Sequence, residues 1–358
     1  MFALPFELTQ ALQTPLKAPM KAIVLESKEA GIVVRTDYPK PIPTTGEVLV
    51  RLHTAALNHR DVWINRGQYA GLRYPSILGS DGVGTVEAFG EGVSEAVQAE
   101  WLHQTVLINP NQNWGTNEAA QSKAYTVLGM PHNGTLAEYT AVPLDRLHKK
   151  PAFLTNEQAA ALPLAGLTAY RALFVRAGLA QYGTSERVLI SGAGGGVALF
   201  ALQMAVAAGA GVYATSSSET KRGAAIALGA KDAVDYTDPN WHRAFVATHG
   251  KVDIVIDSAG GDGFAKFLDV LNPGGRVVFY GGGVGTINGL SPQKIFWGQL
   301  SLLGSTMGSD ADFAAMLAFV EQHQIVPVID STFSIEEAKA AFARMEAGAQ
   351  FGKIVVTM

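Results

Sequence analysis

Gly192, Gly194, Gly195 and Gly196 stand close together in RVLISGAGGGVALFALQMAVAAGA, between a short apolar run and a helix-length run of small and apolar residues. Glycine loses more freedom on folding than any other residue, so a cluster at such a junction needs a reason. The chemistry available there is anion binding. The first N–H groups of a helix lack intrahelical partners, and the positive end of its dipole points outward. Residues without bulk let a phosphate reach that main chain. The four glycines, with Val197 behind them and Ala198 where a last glycine often stands, fit a pyrophosphate-binding turn. The plain alternative is a tight turn.

A second group bears on which dinucleotide would sit there. An acid about twenty positions beyond the first glycine would bond the ribose 2′-hydroxyl of NAD. After GVYAT this chain carries SSSETKR instead. Thr215, Ser216 and Ser217 supply hydroxyls, and Lys221 and Arg222 supply cations. Such groups bind a 2′-phosphate that a carboxylate would repel, which favours NADP(H) over NAD. The same residues match a capping box, Ser216 with Glu219, in which Lys221 is a solvated helix charge. In YGGGVGT, Tyr280, Gly281 and Gly282 end another strand. They either admit the nicotinamide end of the ligand or form a plain glycine-rich loop.

These groups need a frame. From about Thr155 the chain alternates strand-like runs (RVLIS, GVYAT, DAVDY, VDIVIDSA, GRVVFYG, LSLLGST) with helical ones, which predicts a parallel sheet with helices on both faces. The helix before it starts at Asn156 as cap, or at Thr155. Before Thr155 the texture is β-rich: KAIVLES, GIVVRTD and EVLVRLHTAAL are separated by Gly and Pro clusters. Asn109 to Gly129 is polar and irregular and reads as a surface lobe.

Composition closes off several function classes. The 358 residues suit two domains, and 48% hydrophobic content supports a large core. A net charge of −4 gives no basic field for nucleic acid or acidic membranes. There are no cysteines, hence no disulfides and no thiolate metal sites. No apolar run reaches the length of a membrane span. Residues 1–19 lack a basic start and are broken by Pro5 and Pro15, so they read as an extension rather than a signal peptide. A cytoplasmic protein is expected.

Taken in order, GEVLVRLHTAALNHRDVWINRGQY, YPSILGSDGVGTVEAFGEGV, NGTLAEYTAVP, AALPLAGLTAYRAL, the glycine cluster, ALGAKDAVDY, NPGGRVVFYGG and the terminal FGKIVV resemble the medium-chain dehydrogenase/reductases. The resemblance runs from Met20 to Met358. It implies an α/β protein: a Rossmann doubly wound parallel sheet over residues 157–307, plus a β-rich GroES-like catalytic domain over residues 20–156 and 308–358. Zinc-bearing members take ligands from three places that here resemble Asn58, Ser80 and Leu164, none a zinc ligand of the expected kind. The lobe resembling their structural-zinc site has no cysteine. The resemblance therefore points to the zinc-free, quinone-oxidoreductase-like branch, with no metal.

Without a Lewis acid, reducing a simple carbonyl leaves charge on one oxygen, whereas a quinone or an α,β-unsaturated carbonyl spreads it over a conjugated system. The expected activity is NADPH-dependent hydride transfer to such acceptors. The alternatives are a metal-free alcohol or aldehyde dehydrogenase and a non-catalytic NADPH-binding protein. By resemblance, Asn58 and Tyr69 donate hydrogen bonds to the substrate oxygen, Asp61 organises them, and His59 could relay a proton. Their plain roles are a loop cap for Asn58 and a pairing with Arg60 or Arg51 for Asp61; Trp63 is a cleft aromatic or core. Thr168 contacts the nicotinamide or bonds its own helix. Tyr236 stacks near the adenosine phosphate or ends a strand. Phe351 and Lys353 are assigned to the cofactor site, with Lys353 reaching a phosphate or standing as a surface lysine. Self-association to a dimer or tetramer is expected, with the strand LSLLGST at an edge pairing with a second subunit.

Overall fold

The computed structural model describes residues 18–180 and 185–358. The extension expected over 1–19 lies outside the described residues up to position 17, and Pro19 already begins the first strand, Pro19–Ser27.

All six strand-like runs of the second half are strands of one parallel sheet. Its order is Asp232–Val234, Gly211–Thr215, Arg187–Ile190, Val252–Asp257, Leu271–Phe279, Ser301–Gly304. These short Val/Ile/Leu runs suit a sheet buried on both faces. Val188, Ile190, Ile254 and Ile256 point into one core, while Leu189, Val255 and Val277 point into another. Chain order reverses direction between Arg187–Ile190 and Val252–Asp257, the kind of switch point where a crevice opens. The helix Gly196–Ala207 follows the first of these two strands and is buried along most of its length.

The first lobe is antiparallel except at its edge, where Ile329–Ser334 pairs in parallel with Lys353–Thr357. Its main sheet runs Leu147–Lys149, Thr105–Ile108, Asp81–Phe89, Glu47–Ala56, Lys353–Thr357, Ile329–Ser334, with Tyr139–Pro143 also on Glu47–Ala56. The chain's final strand thus returns to the first lobe, Val355 opposite Ala56. The helix Asn156–Ala161 is capped by Thr155 in a reciprocal box with Gln158, rather than by Asn156.

Two features add to the sequence reading. The helix Asp310–His323, expected to belong with the first lobe, buries Phe313, Met316 and Val320 in a core that takes in Val83 and Leu107 of the first lobe and Leu167, Phe200 and Val212 of the parallel-sheet half. The lobe Asn109 to Gly129 is not all surface. Trp114 is buried in it, edge-on to Tyr125 at 5.2 Å and 5.0 Å from the Arg171 guanidinium. Aromatic burial and a cation fix a segment whose polar composition suggested otherwise. Among the described residues no helix is long and apolar enough to cross a membrane.

Phe313 joins the halves: it is fully buried, and its ring lies 4.7 Å from that of His148 on the strand Leu147–Lys149. Phe313→Ala is expected to cost about 3–5 kcal/mol in chemical denaturation. A loss below about 1 kcal/mol would show that the two halves are held together elsewhere.

Candidate active site

A cleft of about 630 Å³ lies between the lobes, lined from one side by Asn58, His59, Arg60, Trp63 and Tyr69 and from the other by Gly195, Gly196, Val197 and Tyr280–Gly282. Thr168 and Tyr125 also line it.

Its floor is a buried ion pair. The strand Glu47–Ala56 ends just before Asn58, which caps the helix His59–Asn65. Asp81 opens the next strand of the sheet, and Lys353 opens the last one. Lys353 Nζ donates to Leu57 O at 2.8 Å, Asn58 Oδ1 at 2.6 Å and Asp81 Oδ2 at 3.0 Å. Asn58 Nδ2 donates to Asp81 Oδ2 at 2.9 Å, and the Leu164 N–H donates to Asp81 Oδ1 at 2.8 Å. The side chains of Lys353 and Asp81 are 4% and 0% exposed. All three ammonium donors are matched, which is what makes a buried charge tolerable. This corrects the placement of Lys353 at a cofactor phosphate and equally its reading as a surface lysine. Its charge is drawn inward by a fully buried carboxylate. Asn58 keeps one amide N–H for the cleft; its other N–H and its carbonyl are committed to the pair.

Asp61 is fully buried and pairs with neither Arg60 nor Arg51. It accepts the N–H groups of Asn58 at 2.8 Å and Gly79 at 3.3 Å, closing the capping box of its own helix. Burial, opposed by the nearby Arg60 charge, pushes its carboxyl above the usual range. Arg51 pairs with Glu87 instead. His59 stands exposed at the mouth. Partial desolvation of its ring and then the Lys353 charge hold its imidazole below the ordinary histidine range, so the neutral ring prevails at neutral pH. Trp63 lines the cleft and is not core.

Tyr69 accepts a hydrogen bond from Arg60 Nε at 3.3 Å. Arg60 also donates to Ser80 Oγ and Leu128 O, each at 2.7 Å, and to Met130 O at 3.2 Å. The sequence reading missed Arg60, Asp81 and Tyr125 as site residues. A signal existed for Asp81, the acid beside Ser80 in GSD. None existed for Tyr125, whose neighbours carry no motif.

The glycines divide by reason. Gly192 has φ +65° and Gly194 φ +145°, so both answer to backbone conformation. A Cβ on Gly194 would meet Lys221 Cδ at 2.9 Å, and one on Gly196 would meet Lys353 Cδ at 2.7 Å. Those two bare faces therefore admit lysine stems of this chain. Only Gly195 faces open space, with nothing within 4 Å of an added Cβ. Thr215 holds the loop, its Oγ1 accepting from the Gly192 N–H at 3.2 Å. On the far side, Gly281 is required by the Ser258 carbonyl, 2.6 Å from an added Cβ, whereas Gly282 is open. Burial pushes the Tyr280 phenol well above its ordinary range, against a hydrogen bond with Ser258.

The remaining predicted residues are each held by contacts within the chain. Ser218, not Ser216, caps the helix Glu219–Ala227. Ser216 is buried, with its carbonyl accepting from Arg222 at 2.9 Å. The Tyr236 hydroxyl donates to Ser217 Oγ at 3.4 Å. Lys221 Nζ donates to Gly348 O at 2.9 Å, so its stem crosses Gly194. Thr168 donates to Leu164 O at 2.8 Å and remains on the cleft wall. Phe351 does not line the cleft; its N–H donates to Asp330 at 2.9 Å, and its neighbours Gln350 and Gly352 are the lining residues.

Fold and cleft together are those of a two-lobed oxidoreductase. Residues 44–152 match the alcohol dehydrogenase GroES-like domain, and residues 228–356 match the zinc-binding dehydrogenase family. The chain is 36% identical to a zinc-type alcohol dehydrogenase-like protein, YogA, of Leptosphaeria maculans, over 88% of this chain and 92% of that protein. It is 31% identical to an acryloyl-coenzyme A reductase of Sulfurisphaera tokodaii (94% and 99% covered) and 30% identical to a quinone oxidoreductase of Pseudomonas aeruginosa (89% and 94%). A crystal structure of an NAD-dependent alcohol dehydrogenase superposes with a TM-score of 0.86 at 35% identity, covering 95% of this chain and 100% of that one. The chain belongs to the medium-chain dehydrogenase/reductase superfamily.

The zinc in the family's description does not fit the residues present. Asn58 is bonded to an ammonium, Ser80 to a guanidinium, and Leu164 has no side-chain donor atom. Among the described residues no group of three or more His, Cys, Asp or Glu side chains converges as a ligand set.

Lys353→Met would leave Asp81 buried without its cation and is expected to cost about 3–5 kcal/mol in urea denaturation. A loss under about 1 kcal/mol would mean that water reaches the carboxylate. Gly196→Ala is expected to destabilise by about 1–3 kcal/mol by displacing the Lys353 stem, while Gly195→Ala leaves the thermal midpoint nearly unchanged. Equal effects of the two would overturn this division of the glycines.

Proposed function

We propose that the chain is a zinc-independent, NADPH-dependent oxidoreductase that reduces quinones or α,β-unsaturated carbonyl compounds. The observation that carries this reading is the cleft itself. A bare helix start at Gly195 opens into the same cavity as the Arg60–Tyr69 pair, while ammonium and guanidinium groups hold the places that resemble metal ligands. The quinone oxidoreductase and acryloyl-coenzyme A reductase relatives support the same class of acceptor.

The bound dinucleotide would supply hydride from its nicotinamide ring. The N–H groups of Gly195, Gly196 and Val197 would hold its pyrophosphate, with Lys221 beside them. Ser216, Ser217 and Arg222 would hold the 2′-phosphate, with Tyr236 near the adenosine. Thr168, Tyr280, Gly281 and Gly282 flank the space for the nicotinamide end. Tyr69 and the free amide N–H of Asn58 would donate to the substrate oxygen. Asp61 acts through the helix start it caps. His59, neutral at the mouth, can pass a proton between bulk water and the cleft. The catalytic half takes in 20–156 and the strands that return to it, and the binding half is built on the parallel sheet.

Two subunits are proposed to pair through the edge strand Ser301–Gly304. The preceding helix, Pro292–Gly298, leaves Phe296 59% and Trp297 80% exposed, which supports a covered face. A monomer in sedimentation would reject this part. The compartment is proposed to be the cytoplasm.

The test is oxidation of NADPH against NADH over a panel of quinones, enones and aldehydes, with elemental analysis of the purified protein. NADPH is expected to be preferred at least about tenfold in kcat/KM, with turnover only on conjugated acceptors. Gly195→Ala should weaken NADPH binding about tenfold or more in fluorescence titration. Turnover of alcohols or aldehydes alone would favour a metal-free alcohol dehydrogenase; the superposed structure is itself that of an NAD-dependent alcohol dehydrogenase. Activity that requires added zinc would overturn both.

A further inference from the structure

Among the described residues, Arg60 forms no ion pair, yet its guanidinium is set in the cleft by four neutral acceptors. Nη1 donates to Ser80 Oγ and Leu128 O, Nη2 to Met130 O, and Nε to the Tyr69 hydroxyl. Its Cζ lies 5.0 Å from the centroid of the Tyr69 ring. A cation on the wall of a substrate cleft, with its orientation fixed and its charge uncompensated, is a costly arrangement unless the charge is used.

Three other hydroxyl protons in and beside the cleft are already committed. Ser80 donates to Leu128 O at 2.8 Å, Thr168 to Leu164 O at 2.8 Å, and Tyr125 to Asn111 Oδ1 at 2.7 Å. Tyr69 differs. Its oxygen accepts from Arg60, and its own proton is not donated to any described residue.

We propose that Arg60 is a positioning residue that polarises Tyr69, so that the phenol O–H donates to the substrate oxygen on which negative charge develops. This rests on the reduction of a conjugated acceptor proposed above. As hydride adds to such an acceptor, an electron pair moves through the conjugated system onto that oxygen. Tyr69 shares its proton with the oxygen without releasing it, and Arg60 Nε–H strengthens the phenol as a donor by accumulating positive charge behind it. Water supplies the proton that completes the reduced product. The carbonyls of Leu128 and Met130 hold both terminal nitrogens, which leaves Nε to reach the phenol oxygen.

The test is a double-mutant cycle on the acceptor that the panel ranks first, with NADPH binding measured for every variant. Tyr69→Phe should lower kcat about 10²-fold with little change in KM. Arg60→Met should lower kcat about tenfold or more, yet have almost no effect in a chain already carrying Tyr69→Phe. Added guanidinium ion should restore kcat to Arg60→Met only where Tyr69 is intact. If Arg60→Met slows the Tyr69→Phe chain by the same factor as the parent, Arg60 merely supports the loop around Leu128 and the inference fails. Where Arg60→Met does not bind NADPH, Arg60→Lys takes its place, since a lysine can still hold one of the loop carbonyls. Absence of turnover on every conjugated acceptor would count against the proposed function; additive losses with good turnover count against this inference alone.

Discussion

The ammonium of Lys353 is the contact on which the rest of the site depends. One charged nitrogen ties the end of the strand Glu47–Ala56, through Leu57 and Asn58, to Asp81 at the start of its neighbour. Asp81 in turn receives the Leu164 N–H from the start of the helix Pro163–Tyr170. The lysine stem passes over Gly196, where the dinucleotide-type helix begins. Elements from both lobes thus meet at one buried pair. Such a pair is weak as a source of net stability, because desolvation offsets most of its attraction. Its value here is positional. A hydrophobic substitute would pack, but would not choose which carbonyl and which amide face the cleft.

A second set of charges ties the lobes together away from the cleft floor. Arg146 pairs with Asp310 at 2.6 Å, and Asn109 donates to the same carboxylate at 3.0 Å. Arg171 pairs with Asp312 within the core and donates to the carbonyls of Glu118 and Ala119, each at 2.9 Å. Both acids lie in the first turn of Asp310–His323, where the helix dipole favours them. The lobe around Trp114, whose two strands pair only with each other, is therefore fastened to the parallel-sheet half.

Much of this was legible in the residues. Periodicity and glycine placement carried the parallel sheet, because a strand buried on both faces writes itself as an uninterrupted apolar run. The resemblance placed Asn58, Tyr69 and Thr168 on the cleft wall, where the structure finds them. What was not legible was partnership across the chain. Lys353 and Asp81 are separated by most of the sequence, and nothing local to FGKIVV says that its lysine points inward. Arg60 was visible only as a neighbour for Asp61; its partners come from residues 69, 80, 128 and 130, brought together by the fold. Spacing alone also could not say what each bare glycine face meets. Two of those bare faces are filled by lysines whose approach no spacing rule encodes.

The charge balance of the cleft follows from these partnerships. Lys353 is neutralised by Asp81, and burial disfavours the ionised form of Asp61. His59 is neutral in its partly desolvated position. Among the described residues at the substrate end, this leaves Arg60 as the cation without a carboxylate partner, so the local field there is positive although the chain carries a net charge of −4. A fixed positive field in a cavity of low dielectric favours a state in which electrons have moved onto the substrate, and it needs no reorganisation when they arrive. In the proposed reaction the demand it would meet is limited, since a hydrogen bond polarises an oxygen less than a metal ion does. Acceptors that spread the arriving charge over several atoms ask least of it. The same logic explains why the carboxylate of Asp81 must be compensated so fully: an ionised, unpaired acid on that floor would cancel the field that the opposite wall supplies.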